Sequence, residues 1–138
     1  MSSVFTKIIN GELPARFVYK DDDVVAFLTI NPVAPGHTLV VPVKEVEHWI
    51  ELDDETIEKL NSVAKKIGKA IDASFNPEKV AYTIVGLEVP HVHIHLIPIN
   101  HMEDMDFAKA DPSPSPELLD AIQKKIIASL GTNNDQEN

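Results

Sequence analysis

Three histidines stand at alternate positions in PHVHIHLIP, residues 90–98. Because successive side chains of an extended strand point to opposite faces, His91, His93 and His95 would share one face. The apolar residues between them would share the other face, which we expect to pack on a core beside a helix over residues 53–75. This spacing predicts a row of imidazoles on one side of a half-buried strand.

A row of imidazoles suits nucleophilic chemistry at phosphorus. A histidine with its ordinary pKa of about 6.5 is mostly neutral at pH 7 and offers an uncharged lone pair to an anionic phosphate. Neighbouring rings on one face lie roughly 7 Å apart and disfavour each other's protonation. We therefore expect one ring to stay neutral while its neighbour carries a proton, which places a nucleophile beside a general acid.

Two other interpretations of the histidine row stay open. The rings could be polar side chains that face solvent, although three consecutive outward positions are an unusual use of one uncommon residue. They could also bind zinc, with His37 or Glu88 as a further ligand. His91 and His95 would lie roughly 13 Å apart along an extended strand, whereas zinc–nitrogen bonds are only about 2.0 to 2.1 Å long. One zinc ion could therefore be coordinated by two of the rings, but not easily by all three.

The composition limits the class of protein. A chain of 138 residues that is 43% hydrophobic predicts one domain, which we place at residues 1–131, followed by a disordered C-terminal tail at residues 132–138. The formal net charge of −10 disfavours nucleic-acid and membrane partners. The chain contains no cysteine and no stretch typical of a signal peptide or a membrane span, which predicts a cytoplasmic protein without disulfides.

Hydrophobic periodicity and turn residues predict several strands and two long helices around the histidine row. The predicted elements are a β-hairpin over residues 16–28, a strand over residues 37–42, a helix over residues 52–76, strands over residues 79–85 and 89–97, and a C-terminal helix that starts at Ser115 and Pro116. The run NPVAPG, residues 31–36, has two prolines and a glycine and is predicted to be a loop just before His37.

The histidine row resembles the motif of a known family. HVHIHLI, residues 91–97, has the form His-φ-His-φ-His-φ-φ of the histidine triad (HIT) family, where φ is apolar. Residues 4–42 also look like the amino-terminal half of that family, so the resemblance covers about residues 4–99. It implies an α+β fold, in which a five-stranded antiparallel sheet packs with one long helix and a C-terminal helix. It also implies a homodimer that needs no cofactor and binds purine nucleotides.

The resemblance implies a role for each histidine. His93, the middle histidine, would attack the α-phosphorus of a nucleotide and form a nucleotidyl-histidine intermediate that water then cleaves. His95 would contact the leaving group and supply its proton, and His91 would help to hold His93 in place. His37, in PGHT, matches an upstream fourth histidine that would support the triad from a neighbouring strand. The implied activity is hydrolysis or transfer at the α-phosphate of nucleoside phosphoramidates or dinucleoside polyphosphates.

The resemblance also predicts the residues that bind the substrate. An apolar pocket for the base maps onto Phe5, Ile8, Phe27 and Ile30, although each of these could equally be a core residue. The α-phosphate oxygens would meet backbone N–H groups near Gly86, Glu88 and Val89, because a glycine lets the backbone approach a ligand closely.

Several positions depart from the family pattern. Thr29 stands where many members have an aspartate that holds the ribose, and Glu88 introduces a negative charge next to the expected phosphate. Ser3 and Thr6 stand where some branches carry a Cys-X-X-Cys zinc site, so we predict that this structural zinc is absent. These departures leave three hypotheses: an enzyme that works through His93, a nucleotide-binding or adaptor protein without catalysis, and a histidine metal site.

Overall fold

The computed structural model describes residues 2–137, with side chains described for residues 2–131. Over these residues the α-helices and strands follow one another as α1 (Val4–Ile9), β1 (Phe17–Lys20), β2 (Val24–Leu28), β3 (Thr38–Pro42), α2 (Asp54–Phe75), β4 (Lys79–Thr83), β5 (Ile94–Ile99) and α3 (Pro116–Glu137). Short 3₁₀ helices lie at Trp49–Glu51, Met102–Met105 and Phe107–Lys109. Among the described residues, no helix combines the length and the apolar character needed to cross a bilayer.

The five strands form one antiparallel sheet in the order β1-β2-β3-β5-β4. β5, which carries the end of the histidine row, lies between β3 and β4, and His95 is paired with Leu39 on one side and Thr83 on the other. The predicted α+β class and the five-stranded antiparallel sheet are confirmed. So is the prediction of a long helix and a C-terminal helix, which are α2 and α3.

The two faces of the sheet are covered by different elements. Val92, Ile94 and Leu96 are buried in the larger core cluster, together with the apolar stripes of α2 and α3. The opposite face carries a smaller cluster formed by Phe5, Val25, Phe27, Leu39 and Val41. The apolar side of the histidine row therefore packs toward α2, as its alternation predicts, and the histidines share the face that α1 covers.

The strand that carries the histidines is shorter than predicted. β5 begins at Ile94, whereas the sequence pattern predicts a strand from residue 89. The ladder with β3 ends at the pair Val40–Ile94. Two residues further along β3, Pro42 has no N–H to offer, and its carbonyl accepts a bond from the ring of His91. The main-chain N–H of Val92 instead donates to Val46 O at 2.8 Å. His91 and His93 thus lie in an extended segment that leads into the strand.

The C-terminal helix is longer than predicted. α3 runs from Pro116 to Glu137 and so continues past residue 131, where we place the end of the domain. Its start agrees with the sequence, because Ser115 Oγ accepts the N–H of Leu118 as an N-terminal cap does. The predicted disordered tail, residues 132–138, lies outside the residues whose side chains are described, and it stays a prediction.

Candidate active site

His93 is held so that one ring nitrogen is free. Its side chain is 6% exposed, and Nδ1 lies 2.8 Å from the carbonyl oxygen of His91. A carbonyl can only accept, so Nδ1 carries the proton and Nε2 keeps its lone pair. The ring of Phe5 contacts His93 edge-on at 4.8 Å between centroids, and His95 lies at 4.8 Å from it. The arrangement holds an uncharged nitrogen nucleophile between an apolar ring and a second imidazole.

His91 is fully buried and uses both ring nitrogens. Nε2 donates to the carbonyl oxygen of Pro42 at 2.8 Å, and Nδ1 lies 2.7 Å from Ser3 Oγ. With the proton on Nε2, the neutral ring accepts the hydroxyl proton of Ser3 at Nδ1. His91 is therefore fixed at both ends, and its main-chain carbonyl is the group that orients His93.

A chain of hydrogen bonds orients His95. The main-chain N–H of Val33 donates to Nδ1 of His37 at 3.1 Å, so that nitrogen has no proton. Nε2 of His37 must then carry the proton, and it lies 2.9 Å from Nδ1 of His95. The neutral His95 ring consequently has its own proton on Nε2.

Burial keeps all four rings neutral. Loss of solvent is the largest cause, and it lowers the pKa of His37 to about 3, that of His95 to about 4, and those of His91 and His93 below the ordinary value. Repulsion from neighbouring rings is the second cause of the low pKa values of His37 and His95. The expectation that one of two adjacent rings carries a proton at pH 7 is wrong for the free protein, because burial disfavours charge on both.

The predicted base pocket is brought together only in part. Phe5 and Phe27 are buried in contact with each other, with 5.6 Å between their ring centroids, and Ile8 packs against the same cluster. Ile30, in contrast, is 69% exposed and lies outside that cluster. Thr29 Oγ1 accepts the N–H of Asn31 at 3.2 Å, a local turn contact. Phe5 thus joins the buried part of the predicted pocket to the histidine row, and Ile30 lies apart from it.

The loop between β4 and β5 leads directly to the histidines. Gly86 has φ +74°, a backbone conformation that a glycine adopts without strain. Val89 packs against the cluster that contains Phe5, whereas the side chain of Glu88 is exposed. The carboxylate of Glu88 opposes the effect of burial on the pKa of His93, so its negative charge acts on the site.

Some residues in contact with the histidines are absent from the sequence-based prediction. The ring of Phe107 lies 4.9 Å from that of His95 and 6.1 Å from that of His37. Phe107 follows β5 in a segment tied to the loop before His37 by a bond from Asp111 N to Pro32 O. Ser3, considered only as a missing zinc ligand, proves to contact His91. Neither contact has a local sequence signal, since both join distant parts of the chain.

The histidine nitrogens leave little room for a metal ion. His91 and His37 have both ring nitrogens engaged, and His93 and His95 each have one engaged. No group of three or more His, Asp or Glu side chains within residues 2–131 is arranged to hold a metal ion. The geometry therefore favours chemistry at the two free Nε2 atoms over metal ligation.

Comparison with known proteins identifies a family that this chain matches. The HIT domain family model matches residues 10–102. An uncharacterized HIT-like protein of Methanocaldococcus jannaschii is 44% identical over 99 residues, which are 69% of this chain and 77% of that protein. The adenosine 5′-monophosphoramidase of Schizosaccharomyces pombe is 32% identical over 133 residues, covering 94% of this chain and 99% of the enzyme.

A solved structure extends the similarity to the fold. The crystal structure of a Hit-like protein from Bartonella henselae superposes with a TM-score of 0.80 at 34% identity. The match covers 93% of this chain and 96% of the other. The similarity in fold therefore extends over more of the chain than residues 10–102, which the family model matches.

Proposed function

Because this chain belongs to the HIT domain family, we propose that it is a nucleotide hydrolase or transferase acting at the α-phosphate of purine nucleotides. The proposed substrates are nucleoside phosphoramidates or dinucleoside polyphosphates. One observation carries the proposal: the bond from Nδ1 of His93 to the carbonyl of His91 leaves an unprotonated Nε2 beside His95. Relatives that include a phosphoramidase support the reaction class.

In the first proposed step, Nε2 of His93 attacks the α-phosphorus while the bond to the leaving oxygen or nitrogen breaks. The leaving atom takes a proton from Nε2 of His95. To supply that proton and remain neutral, His95 must first bind a second proton at Nδ1. His37 must then accept at Nε2 and hold its own proton at Nδ1, which breaks the bond from Val33, and the negative charge of a bound phosphate favours the charged His95 ring by raising its pKa. The products are a nucleotidyl-His93 intermediate and a protonated leaving group.

In the second proposed step, water attacks the same phosphorus and Nε2 of His93 departs. Neutral His95 accepts the proton of the attacking water, which returns the ring to its charged form. Backbone N–H groups near Gly86, Glu88 and Val89 are proposed to meet the phosphate oxygens. Phe5, Ile8 and Phe27 are proposed to contact the base, with Ile30 and Thr29 at the rim toward the ribose.

We also propose a homodimer in the cytoplasm. Among the described strands, β4 pairs only with β5 and lies at the sheet edge, which leaves one side open for pairing with a second copy. Light scattering on the purified chain tests the dimer. The absence of cysteine suits a reducing compartment, and fractionation of cells tests the location.

The direct test mixes the protein with adenosine 5′-phosphoramidate and with diadenosine polyphosphates and follows release of AMP. Wild type is expected to turn over at least one of them, and His93→Ala is expected to lose roughly 10⁴-fold or more in kcat. His101→Ala, which removes an exposed histidine, is the matched control. Equal, negligible rates for wild type and His93→Ala would contradict the proposal, and tight nucleotide binding without turnover would favour an adaptor.

Intact-mass measurement gives a second test that does not depend on the overall rate. After brief exposure to a slow substrate, a nucleotidyl adduct is expected on wild type and not on His93→Ala. Peptide mapping should place the adduct on His93. An adduct on another residue would contradict the assignment of the nucleophile.

A further inference from the structure

Ser3, Thr6 and Glu45 form a hydrogen-bonded cluster next to His91. Glu45 Oε1 accepts the N–H of Ser3 and the hydroxyl of Thr6, each at 2.6 Å. The hydroxyl of Thr6 first, and then the N–H of Ser3, lower the pKa of Glu45 to about 2, so the carboxylate stays charged. Ser3 Oγ accepts the N–H of Thr6 at 3.1 Å and lies 2.7 Å from Nδ1 of His91.

Every proton in this cluster has one assignment when His91 is neutral. The carbonyl of Pro42 requires the ring proton on Nε2, so the hydroxyl of Ser3 donates to Nδ1. The hydroxyl of Thr6 then donates to Glu45, which is a pure acceptor. Ser3 is 7% exposed and His91 is fully buried, so the loss of this bond would leave a ring nitrogen without a partner away from water.

The cluster is connected to the nucleophile along two routes. His91, which Ser3 holds, supplies the carbonyl that orients His93 at 2.8 Å. Phe5 lies on the same short helix as Thr6, and its ring contacts His93. A displacement of the start of α1 would therefore reach His93 through a hydrogen bond and through a packing contact.

We propose that Ser3 and Glu45 are positioning residues of the active site. Glu45 holds the start of α1 against the segment that follows β3. The carbonyl of Pro42 sets the tautomer of His91, and Ser3 fixes the position of the ring by its bond to Nδ1, and thereby the direction in which Nε2 of His93 points. The effect on turnover rests on the proposed function, whereas the hydrogen bond at Nδ1 of His91 can be observed without any substrate.

The test compares Ser3→Ala, which removes the hydroxyl, with Ser3→Thr, which keeps it. Ser3→Ala is expected to lower kcat about 10-fold or more, with a smaller change in KM, and Ser3→Thr is expected to recover most of the loss. ¹⁵N NMR of the histidine rings should show a changed Nδ1 signal for His91 in Ser3→Ala and a nearly unchanged one in Ser3→Thr. A purely structural role would lower the melting temperature without moving that signal.

Glu45 is tested with Glu45→Ala, and with Glu45→Gln, which keeps an acceptor oxygen. Glu45→Ala is expected to lower kcat by a factor similar to Ser3→Ala, and Glu45→Gln by less. Glu47→Ala, which removes an exposed acid two residues away, should leave kcat unchanged. Wild-type kcat together with unchanged His91 nitrogen signals in Ser3→Ala and Glu45→Ala would overturn the proposal. If wild type turns over no substrate, the proposed function fails, and the nitrogen signals alone decide the role of Ser3 and Glu45.

Discussion

His37 and His95 share a single hydrogen bond whose direction is set from outside the pair. Nε2 of His37 lies 2.9 Å from Nδ1 of His95, and the N–H of Val33 occupies the other nitrogen of His37. A main-chain N–H can only donate, so the proton between the rings belongs to His37. The loop before β3 thereby determines that the neutral His95 ring presents N–H, and not a lone pair, at Nε2.

Loss of this donor should reduce turnover. His37→Leu removes the N–H and leaves Nδ1 of His95 without a partner, and we expect kcat to fall about 10- to 100-fold. His37→Gln, whose amide can still donate, should lose less. Single-turnover measurements of AMP formation separate this effect from product release. Equal rates for His37→Leu and wild type would show that the orientation of His95 does not depend on His37.

Protein stability should fall as the pH drops below about 6.5, before the carboxylates titrate. The folded pKa values of His95, about 4, and His37, about 3, lie below the ordinary value of 6.5, so the unfolded chain binds protons first. For His95 alone, the total loss in the free energy of unfolding is on the order of 2 to 3 kcal/mol after allowing for partial screening by solvent. Urea unfolding between pH 6.5 and 5 measures how steeply the free energy of unfolding falls with pH. This dependence on pH should be weaker in His95→Phe than in wild type.

Removal of Phe107 should expose His95 to water. The ring of Phe107 covers His95 but is itself 41% exposed, so Phe107→Ala should cost little stability. Because burial is the main reason for the low pKa of His95, that pKa should rise toward its ordinary value in Phe107→Ala. An NMR titration of the histidines measures the change. Met102→Ala, which truncates a side chain that is 84% exposed, should leave the pKa of His95 unaltered.

Glu88 should influence which leaving group is accepted. Its carboxylate acts on His93, and every ion pair found within residues 2–131 lies away from the histidines. A polyphosphate leaving group would meet this negative charge, whereas an amine would not. Glu88→Lys should therefore raise kcat/KM for diadenosine polyphosphates relative to adenosine phosphoramidate, by about 10-fold or less.

The control for Glu88→Lys is Glu58→Lys, which makes the same change in net charge on the exposed side of α2. It should leave the ratio of the two kcat/KM values unchanged. The difference between the variants should shrink at high salt, because solvent ions screen exposed charges. A ratio that moves equally in both variants would mean that net charge, and not the position of Glu88, determines the preference.

Substitutions at Ile30 and Phe27 should distinguish a residue that contacts the ligand from one that packs in the core. Ile30 is 69% exposed, so Ile30→Ala should weaken nucleotide binding without loss of stability if it borders the base. Phe27 is 2% exposed, and Phe27→Ala should lower the free energy of unfolding by about 3 to 5 kcal/mol. Calorimetric titration with AMP and urea unfolding measure the two quantities. Ile127→Ala, an exposed isoleucine on α3, is the control and should change neither.

The sequence by itself determined the features that depend on local periodicity. The alternation of His91, His93 and His95 with apolar residues predicted which side faces the core, because a side chain's face follows from its position along an extended backbone. The apolar stripe of residues 52–76 predicted the long helix, because residues three and four positions apart lie on one face of a helix. The family motif added an expected role to each histidine.

Only the tertiary structure decided how the histidines are held and charged. The bond from Ser3 to His91 joins residues 88 positions apart, and the bond from Ser3 to Glu45 spans 42 positions. The pKa values of His37 and His95 depend on burial by segments that no local pattern brings together, among them the one that carries Phe107. Hydrogen bonding and desolvation act between atoms that are close in space. A linear pattern can therefore indicate which groups take part, and the fold determines the partner and protonation state of each.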